Sequence, residues 1–130
     1  MSHFSTLKTE LRDREALLEA LADLGHDPQT GSVAIRGYQG QTVQAEVAVT
    51  RDEQADFGFV WNAAAGSYEL VADLDQWRQP VPVERFLAQL TQRYALRTLL
   101  AATAEEGFQV SEQTTQLDGS IELVVTRWDG

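Results

Sequence analysis

Histidine is the side chain that titrates nearest neutral pH, and this chain has two, His3 and His26. Their spacing is nothing like the one-turn separation that makes a metal pair on a helix. They read as a strand-end histidine and a loop histidine on the surface. No Gly-x-Ser-x-Gly elbow occurs, and the one Ser-x-x-Lys, Ser5 to Lys8, falls in the strand pattern of residues 3–10, where residues three apart point to opposite faces and cannot pair. The run Gly37-Tyr38-Gln39-Gly40-Gln41 lacks the Lys-Ser/Thr of a phosphate loop, and a strand pattern follows it where such a loop opens a helix. Its glycines serve a turn. The absence of cysteine removes thiolate nucleophiles, disulfides, iron–sulfur ligation and cysteine-bound zinc together. Asp73 and Asp75 are the best-placed carboxylate pair. At i, i+2 they share a face if the backbone is extended, where they could split their pKa values or hold a hard cation. More often such a pair marks a solvated loop. No catalytic residue, metal site or cofactor is expected, and the chain reads as non-enzymatic.

Two clusters remain that suit binding. Trp61, Tyr68 and Trp77 fall within a short span, with Tyr38 and Trp128 able to join them in space. Aromatic groups of this kind line small-ligand pockets and interface hot spots. A pocket of Trp61, Tyr68 and Asp73, shared with Trp77, is therefore one candidate site. Core packing is the commoner use of Trp61 and Tyr68, whereas Trp77, lying in an irregular charged segment, is expected to be exposed. The second cluster is basic: Arg78, Arg85, Arg93 and Arg97 surround one helical segment, and Glu84 is the only acid between Asp75 and Glu105. A basic stripe on an acidic protein fits an acidic partner or an anionic ligand. The plainer use of these arginines is pairing with the chain's own carboxylates.

The elements that must position these residues follow from periodicity. Residues 3–10 alternate as a strand. Asp13 is a helix N-cap with Glu15 in the first turn, Leu17, Leu18, Leu21 and Leu24 recur at helical spacing, and Gly25 suits the left-handed residue after the helix. His26 to Gly31 reads as a loop. Val33 and Ile35 alternate up to a hairpin connection at Gly37–Gly40, and Val43, Ala45, Val47 and Val49 form the cleanest half-buried strand. After a charged turn at Arg51–Asp56, Phe57, Phe59 and Trp61 share one strand face, and Tyr68, Leu70 and Ala72 share the next. Asp73 to Pro82 is irregular. A long helix starts near Val83, just after Pro82, and ends by Gly107. The chain closes in a hairpin turning at Asp118-Gly119. The order β-α-β-β-β-β-α-β-β with short connections predicts a single α+β domain over 1–130, one mostly antiparallel sheet with two helices on one face.

With 130 residues, 43% of them apolar and 23% charged, the chain can bury a substantial core. Twenty acidic against ten basic residues leave a net charge of −10, which repels nucleic acid and anionic membrane surfaces. Met1 to Ser5 has no signal-peptide pattern, and no apolar run approaches the ~20 residues of a membrane span. A cytoplasmic or stromal location is the expectation.

Several segments resemble a known family. They are Met1-Ser2-His3-Phe4-Ser5 leading to Lys8-Thr9, Arg36-Gly37-Tyr38, the run Tyr68 to Leu74, Thr91-Gln92-Arg93-Tyr94-Ala95, Gly107-Phe108-Gln109-Val110, and Asp118-Gly119-Ser120-Ile121 through Arg127-Trp128. Together these are similar to the conserved hypothetical chloroplast reading frame thirty-five proteins of cyanobacteria and algal plastids, over nearly the whole chain. The resemblance implies a domain of unknown function with no catalytic residues to carry over. It implies a cyanobacterial cytoplasm or plastid stroma and, from the company of genes for ferredoxin-like proteins, an acidic protein partner. The leading expectation is a binding or accessory protein using Arg78, Arg85, Arg93 and Arg97 with Trp77 at the edge. The aromatic small-molecule pocket stands second, and a homo-oligomeric role third.

Overall fold

A computed structural model describes residues 4–37, 40–51, 54–105, 108–115 and 121–127. In chain order these form β1 (Phe4–Lys8), α1 (Arg14–Asp23), β2 (Pro28–Arg36), β3 (Thr42–Arg51), β4 (Gln54–Asn62), β5 (Ser67–Asp73), α2 (Val83–Glu105), β6 (Phe108–Thr115) and β7 (Ile121–Arg127). The α+β class and the element order agree with the periodicity. Strands β1 to β5 make one antiparallel sheet in the order β1-β5-β4-β3-β2.

The register explains the core. Val47 lies opposite Phe59, Phe59 opposite Leu70, and Leu70 opposite Leu7. Paired residues point to the same side of a sheet, so this row is a continuous apolar band. Leu17 and Leu21 of α1 and Phe86 and Leu90 of α2 cover it, all four essentially buried. Both helices thus pack on one face, as expected.

Helix α1 begins where a cap permits it: Asp13 Oδ1 accepts from the amides of Glu15 (2.9 Å) and Ala16 (3.3 Å), satisfying two amides that would otherwise be orphaned. It ends as Gly25 enters the left-handed region at φ 89°.

Three features depart from the sequence expectation. His26–Gly31 is not all loop, because β2 starts at Pro28 and pairs with Val49 onward. A register shift between Thr30 and Val33 interrupts the alternation that would have revealed the strand. Pro28 is tolerated there as the first residue of an edge strand. Within Asp73–Pro82, a single 3₁₀ turn spans Leu74–Gln76, with Asp73 Oδ1 accepting from the Asp75 amide at 3.1 Å. Finally, among the described residues β6 and β7 pair only with each other, as a separate ribbon after α2. Helix α2 has 23 residues, and at ~1.5 Å per residue it carries the chain about 35 Å before β6 begins.

The face away from the helices is covered by the sheet itself. Ile35, Ala45 and Ala48 form a second small core with Phe4, Val33 and Val60 packed against it. A Cβ placed on Gly58 of β4 would overlap Ile35 Cδ1 and stand 2.8 Å from both Ala45 Cβ and the Val47 carbonyl oxygen. The free half of the β2–β3 hairpin therefore folds across β4. One placed on Gly37, just after β2, would stand 2.9 Å from the Phe4 ring on β1 and 3.2 Å from Asp73 Oδ2 on β5. The two edge strands of the sheet thus approach each other, and Asp73 is buried at this closure.

Candidate functional site: the arginine-bearing helix and the aromatic residues

The four arginines divide into two pairs. Arg93 and Arg97, one turn apart on α2, both reach Asp23 in the last turn of α1. Arg97 Nε donates to Asp23 Oδ2 at 2.8 Å and Arg97 Nη2 to Oδ1 at 2.5 Å, a two-pronged grip on one carboxylate. Arg93 Nη2 stands 3.3 Å from Asp23 Oδ2, and Arg97 Nη1 stands 3.5 Å from Glu19. The hydrogen bond from Arg97 lowers the Asp23 pKa, against the opposing effect of burial and with help from the charges of Arg97 and Arg93. The same bond raises the Arg97 pKa. Asp23 explains the arrangement. An acid at a helix C-terminus faces the negative end of the macrodipole, and no basic residue lies in the last turn of α1 to offset it. The neighbouring helix supplies two. That misplaced acid is the signal in the sequence by which the pairing was detectable.

Arg78 and Arg85 are exposed, in the segment before α2 and in its first turn. Arg85 makes no ion pair among the described residues. The basic surface accessible to a partner is thus centred on the N-terminal end of α2 rather than along its whole length.

Trp77 is not the exposed edge residue expected of it. It is half-buried, with ring centroids 5.1 Å from Phe57 and 5.6 Å from Phe86, and its Nε1 donates to the Val81 carbonyl at 2.8 Å. Satisfying the indole N–H within the Pro80–Pro82 turn lets the ring enter the core. His26 joins the same cluster edge-on, 5.6 Å from Phe86 and 6.1 Å from Phe57, rather than standing free on the surface. Burial lowers its pKa, and the charge of Asp56 opposes that shift.

Trp61 departs from expectation in the other direction and is 40% exposed. Pairing of β3 with β4 stops at Val47 and Phe59, so β3 no longer shields the end of β4. The Trp61 amide donates instead to the Glu46 carboxylate at 2.9 Å. Its ring packs edge-on against buried Tyr68, 5.0 Å away. Trp61 lies four residues along β4 from Phe57, about 13 Å, whereas Trp77 sits on Phe57. Asp73 belongs to the opposite side of β5 from Tyr68. The residues of the proposed aromatic pocket are therefore distributed over two ends and two faces of the sheet. Tyr38, Trp128 and His3 lie outside the described residues.

Two further features were not anticipated. Tyr94 Oη accepts from the amides of Arg12 (3.0 Å) and Asp13 (2.8 Å), which fixes the start of α1 to the middle of α2. Between the helices runs a groove of about 290 Å³, lined by Asp13, Glu15, Glu19 and Glu105 with Arg97 on its wall. Among the described residues no group of three or more histidine, aspartate or glutamate side chains could hold a metal ion, and no helix is long and apolar enough to cross a membrane.

With this geometry in hand, comparison with known proteins is specific. The family model described as a protein of unknown function (DUF1257) matches residues 20–124. The chain belongs to this family. It is 40% identical over 98% of both chains to the "uncharacterized protein ycf35" of Guillardia theta, and 38% identical over 99% of both to that of Pyropia yezoensis. The Cyanophora paradoxa protein of the same name is 39% identical over 98% of each chain. These relatives are plastid-encoded. No solved structure matches. The matched region holds α2, its arginines and Asp23, so this DUF1257 member carries its candidate surface inside the family's own span.

Proposed function

We propose that the protein is a non-enzymatic binding or accessory protein that engages an acidic protein surface through the N-terminal end of α2, with Arg78 and Arg85 as the contacting residues. One observation carries this reading: on a chain of net charge −10, Arg85 is exposed without an ion pair among the described residues, while Arg93 and Arg97 are committed to Asp23. Exposed charges at a rim steer encounter and select the partner. The setting we propose is a cyanobacterial cytoplasm or a plastid stroma, in keeping with the plastid-encoded relatives.

The test is a bait comparison in a cyanobacterial lysate between wild type and Arg78→Glu/Arg85→Glu. Arg93 and Arg97 are left intact so that the fold is not disturbed. A protein retained by the wild type, lost by the variant and weakened at high salt supports the reading. Identical retention by both baits sinks it.

A further inference from the structure

The outward side of α2 is unusual for a solvated helix. Arg85, Ala88, Gln92, Ala95, Leu99 and Ala102 recur at alternating three- and four-residue steps and are all exposed, Leu99 by 45%. The opposite side, with Val83, Phe86 and Leu90, is buried. Between Arg85 and Glu105 the only charged residues are Arg93 and Arg97, and both turn toward α1. A solvent-facing helix surface ordinarily carries charge, as α1 does with Arg14, Glu15 and Glu19. From Ala88 to Ala102 this surface runs about 21 Å without one. Its spacing is that of a seam between paired helices.

The two ends of the seam carry opposite charge. Arg78 and Arg85 stand at the N-terminal end, and the groove lined by Asp13, Glu15, Glu19 and Glu105 stands at the C-terminal end. Arg85 and Glu105 are each ten residues from Ala95.

We propose that this face pairs with a second copy of the chain, the two α2 helices lying antiparallel about a two-fold axis at Ala95. This rests on the reading that the arginine end of α2 docks on an acidic protein surface, and it names that surface as the partner copy's α1–α2 groove. In this arrangement Ala88 faces Ala102, Gln92 packs beside Leu99, and Arg85 meets Glu105 at both ends, as an isologous interface requires. Parallel pairing would set Arg85 on Arg85 and Glu105 on Glu105. Antiparallel macrodipoles also attract. Alanine along the seam lets the axes approach to about 8 Å. A single helix pair sits at the small end of interface sizes, so the dimer is reversible and concentration-dependent.

The full chain is tested by sedimentation equilibrium from about 5 to 500 µM, a range that brackets weak association. The expected result is a monomer–dimer equilibrium that weakens with salt. Ala95→Arg places like charges at the axis and should raise the dissociation constant at least tenfold. That position is exposed, and an unchanged melting temperature shows that the fold survives. Arg85→Glu and Glu105→Arg should each weaken the dimer, and the double swap should restore it. A wild type monomeric throughout overturns the inference, as does a dimer indifferent to Ala95→Arg or a double swap no better than its singles. Failure here leaves the acidic-partner reading standing, because the lysate comparison turns on Arg78 and Arg85 whether or not the protein dimerises.

Discussion

At the scale of single residues, His26 shows how position overrides type. In a sequence it is an unpartnered loop histidine; in the fold it is wedged edge-on between Phe57 and Phe86. Burial disfavours its charged form and depresses its pKa, with Asp56 pulling the other way. The sign of the pH effect follows. The unfolded chain titrates this imidazole near ~6.5 and takes up the proton more readily than the folded chain does. The stabilising contribution is present above the unfolded pKa and lost as pH falls through the folded one. We predict that chemical-denaturation stability declines from about pH 7.5 to pH 5.5, before the ordinary carboxylates titrate. His26→Leu should flatten that decline, and NMR should place the wild-type imidazole midpoint below the unfolded value. A midpoint at or above ~6.5 would contradict the assignment.

At the scale of elements, the joint between α1 and α2 is an ion cluster laid over an apolar contact. Asp23 holds two arginines with only 12% of its side chain exposed, whereas Arg93 and Arg97 remain about one-third exposed, at 29% and 35%. The cluster therefore lies between a surface pair, worth about 0–1 kcal/mol, and a buried one, whose disruption costs about 3–5 kcal/mol. Asp23→Asn should cost about 1–2 kcal/mol and lower the melting temperature by roughly 4–8 °C, because it leaves two guanidinium groups facing each other. Arg97→Met should cost less, since Asp23 keeps Arg93. Equal melting temperatures for Asp23→Asn and wild type, by calorimetry, would mean that the helices are joined by packing alone. Much of this element framework was legible in the sequence. Asp13 and Gly25 bound α1, the alternation from Val43 to Val49 set β3, and Pro82 set the start of α2. What escaped was tertiary. A bulge in β2 broke the alternation that marks a strand, and the divergence of β3 from β4 exposed Trp61. An indole satisfied by the Val81 carbonyl drew Trp77 inward. The arginines were identifiable as a cluster; the engagement of Arg93 and Arg97 with α1 depended on where Asp23 would fall.

At the scale of the whole molecule, the decisive feature is how the sheet protects its second face. Helices cover one side, and the other is covered by the free half of the β2–β3 hairpin, brought so close to β4 that only glycine fits at position 58. The arrangement also brings the end of β2 to Phe4 on β1, although β1 and β2 remain the two edge strands of the five-stranded sheet. Glycine in a strand interior normally costs stability relative to alanine. If Gly58 merely lay in a strand, Gly58→Ala would stabilise the protein. The closed geometry reverses that sign, because the added methyl meets Ile35 Cδ1, Ala45 Cβ and the Val47 carbonyl, two of them fixed to the backbone or one bond from it. We predict a loss of about 2–3 kcal/mol in urea denaturation, the range of overpacking in a filled core. Ile35→Val removes the closest of the three atoms, so Gly58→Ala should cost about 1 kcal/mol less in that background than alone. A stabilising Gly58→Ala would show that the hairpin stands off the sheet, and strict additivity of the two changes would show that Ile35 does not rest on it.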